Sequence, residues 1–142
     1  TDAGDLYYVA QGISGVSPAN PSDHTKVSGM KLGTGVTAVA KNGACAALVT
    51  YKSGTNVVFD ATYPQSANLG AGLGVQAVYR TTFIAGVGTD AALAEVVIVN
   101  DAAVDATSTG ANTISRVLFP STINKGASDT LAVTWNHKFL GA

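Results

Sequence analysis

Punctuation constrains this chain more than anything else in it. Stretches rich in glycine, serine, asparagine and proline recur at short intervals: SGVSPANPSD at 14–23, KNG at 41–43, KSGT at 52–55, YPQSANLGAGLG at 63–74 and IAGVGTD at 84–90. Such residues reach or pre-set the backbone angles of turns, so the chain is cut into short pieces. Between the cuts, side chains alternate. Residues 75–83 set Val75, Ala77, Tyr79, Thr81 and Phe83 against Gln76, Arg80 and Thr82, and residues 56–63 set Val57, Phe59, Ala61 and Tyr63 against Val58, Asp60 and Thr62. An extended strand sends successive side chains to opposite faces, so both read as half-buried strands.

EVVIVN at 95–100 is apolar on both faces, which suits a central strand covered on each side. TISRVLF at 113–119 alternates until Pro120, where the strand is expected to stop, and 129–140 closes the series. Further strands are expected at 6–11, 26–32 and 46–52, the last after a short alanine-rich helical turn around 38–47. No window sustains the three-and-four spacing of a long amphipathic helix. The expectation is an all-β fold, an antiparallel β-sandwich or jelly roll of about eight strands forming a single domain over 1–142. Tyr79, Phe83, Phe119, Trp135 and Phe139 are its core anchors. The longest loop, NDAAVDATSTGAN at 100–112, is expected to be a surface excursion able to reach a neighbour.

Charged residues make up 12% of the chain and apolar ones 46%, against about 25% charged in an average domain. So neutral a surface favours a subunit of an assembly. The eight lysines and arginines are scattered and the net charge is −1, so no basic stripe tracks phosphates and nucleic acid is not an expected partner. No apolar run approaches the ~20 residues of a membrane-crossing helix. No secretory signal opens the chain; lacking an initiator methionine, it leaves a processed or upstream start open. The single cysteine, Cys45, excludes an internal disulfide and reads as an inert thiol in GACAALV.

Residues able to carry chemistry are few. His137 falls in register with Leu131, Val133, Trp135 and Phe139, and reads as a ring at the margin of a core, with one nitrogen bonded, before it reads as a base or ligand. Two loose dinucleotide patterns, GTGVTA at 33–38 and GLGVQA at 72–77, lack a βαβ context, and glycine as a turn former explains them. His24 and His137 are far apart in sequence with no third ligand in view. Asn100, Asp101 and Asp105 are oxygen donors without the dense alternation of a calcium loop, and solvated loop acids are the simpler reading. Glu95, the one glutamate, and Arg80 and Arg116 are expected to form ion pairs or hydrogen bonds at a sheet edge. No catalytic, cofactor-binding or metal-binding residue is assigned, and enzymatic activity is not expected.

Four passages in sequence order carry a likeness: EVVIVN at 95–100, SRVLF at 115–119, INKGASD at 123–129 and LAVTWNHKF at 131–139. Over roughly its last two thirds, with weaker agreement before residue 30, the chain resembles small structural proteins of tailed bacteriophages, variously capsid decoration, head-fibre or tail-fibre proteins. The shared elements are strand and turn chemistry and carry over no functional residues. The resemblance implies a non-enzymatic virion protein, a capsid decoration or cement protein that binds the outside of the shell and stabilises it. A homotrimer in contact with the major capsid protein is expected, assembled in the host cytoplasm. The alternative is a tail or fibre component, a receptor- or carbohydrate-binding module in which Tyr7, Tyr8, Tyr51 and Tyr63 act as sugar platforms.

Overall fold

The computed structural model describes residues 27–38 and 47–139. Among them there is no helix, and seven strands form two antiparallel sheets. In the first sheet β1 (Gly29–Gly33) lies between β2 (Val57–Val58) and β5 (Asp90–Val99), and β6 (Thr113–Lys125) forms the far edge. The second sheet places β4 (Val75–Phe83) between β3 (Gln65–Asn68) and β7 (Leu131–Phe139). The expected strand at 6–11 lies outside the described residues, as does most of the alanine-rich turn.

A shared core joins the sheets. Met30, Leu32, Val96 and Ile98 of the first sheet meet Ala77, Tyr79, Phe83 and Val133 of the second, with Phe119, Trp135 and Phe139 partly buried against them. All five aromatic anchors therefore belong to this core. From Leu93 to Val99 every residue of β5 is buried, as its two-faced apolarity predicts, because both faces of this strand are covered. Val97 and Val99 point away from the second sheet and pack under Leu48, Ala102 and Tyr51, so loops form a further layer over the outer face of the first sheet.

Four expectations change. The alternation over 56–63 yields a strand of two residues, because at Asp60 the chain leaves the first sheet and joins the second. The Asp60 carboxylate accepts from the backbone N–H and hydroxyl of Thr82 at 2.9 and 2.7 Å, and its own N–H donates to the Arg80 carbonyl at 2.9 Å. Residues 65–68, read as part of a turn, then pair with β4 as β3. Proline does not end β6: between Leu118 and Ile123 the ladder to β5 shifts register, and Pro120 sits in that irregular stretch of an edge strand, where a missing N–H disrupts no regular pairing. Residues 47–52 form no strand; Tyr51 makes one isolated bridge to Gly33.

Candidate functional site

The outer loop layer is where the charged residues gather. Glu95 is fully buried on β5 and its carboxylate accepts from Arg116 Nε at 2.6 Å, from Thr50 N at 2.9 Å, from Val49 N at 3.0 Å and from Gly35 N at 3.1 Å. Arg116, nearly as buried, also donates through Nη2 to the Thr37 carbonyl at 2.9 Å. A buried charge is tolerated only when paired and fully hydrogen-bonded, and here the partners come from two loop stems as well as from β6. The expected edge pair thus exists, but it is buried beneath the loops and organises them.

Glycine makes this approach possible. A Cβ at Gly33 would come within 2.5 Å of Glu95 Oε1, and one at Gly35 within 2.6 Å of the same atom. The GTG stretch that loosely fits a phosphate loop therefore admits a carboxylate of its own chain, donated from the sheet below. Gly72 and Gly74, in the second such pattern, have positive φ in the turn that leads into β4.

A second clasp lies alongside. Lys31, fully buried on β1, brings Nζ to 3.0 Å from Asp101 Oδ1, a contact of charge without hydrogen-bond alignment, and donates to the Ala106 carbonyl at 3.0 Å. The ammonium also lies 5.9 Å from the centre of the Tyr51 ring. Asp105 accepts from the Tyr51 hydroxyl at 2.7 Å, from Gly54 N at 2.9 Å and from Ser53 Oγ at 3.2 Å. The Gly54 N–H, followed by the Tyr51 hydroxyl, holds the Asp105 carboxyl below its ordinary range. Partial burial, followed by Asp105 itself, pushes the Tyr51 phenol up to about 12. Leu48 N donates to Ser108 Oγ at 2.8 Å and Asn56 Nδ2 to the Ala102 carbonyl at 3.2 Å. The 100–112 loop is accordingly pinned to its own sheet and does not extend away from it. Asp101 is thus largely buried against Lys31, where solvation was expected, whereas Asp105 stays exposed to solvent while a phenol and a backbone amide hold it.

Elsewhere the same economy holds. Lys52 pairs with Asp90 at 3.0 Å and Arg80 with Asp60 at 3.2 Å. Lys125 Nζ, buried at the end of β6, donates to the carbonyls of Asp129 and Ile84 at 2.7 and 3.0 Å. Asp129 in turn accepts from Gly126 N at 2.7 Å. Lys138 excepted, every charged side chain among the described residues is held by an ion pair or a hydrogen bond. Beside exposed Thr37, Thr50, Asp105, Thr107 and Thr109, the loop layer exposes three large apolar side chains, Val36 at 70%, Val49 at 53% and Val104 at 52%.

His137 lies at the core margin, its ring edge-on to Tyr79 and Trp135 with centroids 5.5 Å from each. Burial lowers its pKa, and among the described residues no hydrogen bond reaches either ring nitrogen. Among the described residues no three histidine, cysteine or acidic side chains group as a metal site would require. His24, Cys45, Tyr7 and Tyr8 lie outside the described residues. Sequence reasoning missed Lys31, Asp60 and Lys125. The available signal was a lysine in the all-apolar alternation GMKLG, where a buried cation needs a partner from elsewhere in the chain. Compared with known protein families, curated proteins and solved structures, the chain matches none.

Proposed function

We propose that this protein is a non-enzymatic structural subunit of a tailed-bacteriophage virion, a β-sandwich of jelly-roll kind that decorates the outside of the capsid and stabilises it. The observation that carries the reading is the loop layer. Its charges are committed to internal partners, its backbone is fastened to the sheet by two ion pairs, and it exposes three large apolar side chains, Val36, Val49 and Val104, among neutral threonines. A surface of that kind suits a flat protein partner: apolar contact supplies the attraction, and the pinned backbone loses little freedom on binding. Repetition over a symmetric shell multiplies weak contacts, and a homotrimer bridging neighbouring capsomers would use that multiplication best. Tyr51, a candidate sugar platform in the alternative fibre reading, already donates its hydroxyl to Asp105, which leaves it poorly placed for that role.

The test is co-sedimentation of the purified protein with bare phage shells. The wild type should pellet with shells, and Val49→Asp combined with Val104→Asp should remain in the supernatant with an unchanged circular dichroism spectrum. Virions lacking the protein should lose resistance to heat or low salt. Unaltered shells and no pelleting would sink the decoration reading, and labelling confined to tails would favour the fibre alternative.

A further inference from the structure

The two charge pairs under the loops are not alike. Glu95 meets Arg116 and three backbone N–H groups, so its carboxylate is saturated. Lys31 and Asp101 touch without that completeness. Lys31 is fully buried, and among the described residues its Nζ has one aligned acceptor, the Ala106 carbonyl at 3.0 Å, although an ammonium has three hydrogens to place. Nζ also stands 3.0 Å from Asp101 Oδ1, yet Oδ1 is shut off from solvent and accepts no hydrogen bond from any described residue. The other carboxylate oxygen, Oδ2, accepts from Asn112 Nδ2 at 3.0 Å, and the Tyr51 ring lies 5.9 Å from Nζ. A buried ammonium bonded so sparsely costs free energy that a saturated pair does not.

We propose that Lys31 and Asp101 condense into an intramolecular isopeptide bond. Nζ passes one proton to Oδ1 and attacks Cγ, which lies one C–O bond beyond the atom that Nζ already touches. The N–Cγ bond forms, the Cγ–Oδ1 bond breaks, and Oδ1 leaves as water with a second proton from Nζ. Nothing is oxidised or reduced and no co-reactant is consumed: one ammonium and one carboxylate become one amide and one water. Asn112 holds Oδ2, the oxygen on which negative charge gathers as Nζ adds, and the Ala106 carbonyl holds Nζ in place. The product satisfies each atom that remains. Its single N–H keeps the Ala106 carbonyl, its oxygen is Oδ2 with the Asn112 amide already on it, and the atom lost is the one without a hydrogen bond. Arg116 cannot react in this way, because its delocalised guanidinium stays charged, and the Glu95 pair remains ionic. The bond ties β1 to the loop after β5, a covalent fastening independent of redox conditions in a chain with one cysteine.

Intact mass spectrometry of the purified full-length chain decides the matter without any variant. The folded protein, denatured just before measurement, should weigh one water less than its sequence requires. Trypsin should then leave Lys31 uncut and release one branched peptide, residues 27–41 joined to residues 81–116, with fragment ions that place the link at Asp101. Lys31→Arg keeps the positive charge but cannot form the bond, and should show its full mass and no branched peptide. Full mass in the folded wild type overturns the proposal. Loss of one water with Lys31 still cleaved overturns it too, because that result marks a cyclic imide at an aspartate.

Discussion

Replacing Glu95 leaves more than one group without a partner. In Glu95→Gln, Arg116 keeps its position under the loops without a counter-charge, and the amide cannot satisfy all four donors that converge on the carboxylate. Removing one member of a buried pair costs about 3–5 kcal/mol, and the urea midpoint should fall accordingly. Thr81 makes the opposite case: its hydroxyl is buried with no hydrogen-bond partner among the described residues, so Thr81→Val should be neutral or stabilise by about 1 kcal/mol. His137 adds a pH dependence. Its folded pKa is depressed by burial, so the unfolded chain binds its proton first as pH falls. The stability that the neutral ring contributes is complete above about pH 6.5 and is lost as pH falls from there through the folded pKa. Melting temperature should therefore drop over that interval in the wild type, and the drop should shrink in His137→Phe.

Elements end where side chains from other elements reach them. The turn between β4 and β5 and the turn between β6 and β7 are sewn together by Lys125 and by Gly86 N donating to the Ala127 carbonyl at 2.7 Å. Lys125→Met leaves two carbonyls short of a donor in a buried place, and a loss of roughly 1–3 kcal/mol is expected, with faster hydrogen exchange in both turns at once. Exchange that rises in one turn alone would show that they are independent. The strands β4, β5 and β7 were legible from alternation or continuous apolarity, because each is covered by the core in a regular way. By contrast, 56–63 has equally regular alternation and still breaks. Asp60 prefers the backbone of β4, a partner more than twenty residues away, and no local pattern reports that. Pro120 misled for a related reason: its cost depends on whether the strand has a regular neighbour there, which is a property of the sheet.

At the scale of the whole molecule, low charge has a consequence for binding. With nearly all described charges paired internally, attachment to shells through the loop layer should survive ~1 M salt, where the screening length is about 3 Å. Release at that salt, read by the same sedimentation, would point to an ionic interface and away from Val36, Val49 and Val104. Composition indicated a neutral exterior, and pattern indicated an all-β chain, because strand alternation and turn chemistry are local and repeat along the sequence. The polar site was not legible in this way. Glu95 and Arg116 read as partners at a sheet edge and Asp101 as a solvated loop acid, while Lys31 carried no reading. The fold decided that they meet beneath the loops, since burial is set by which segments the sheets bring together, and only there does a charge require its particular partner.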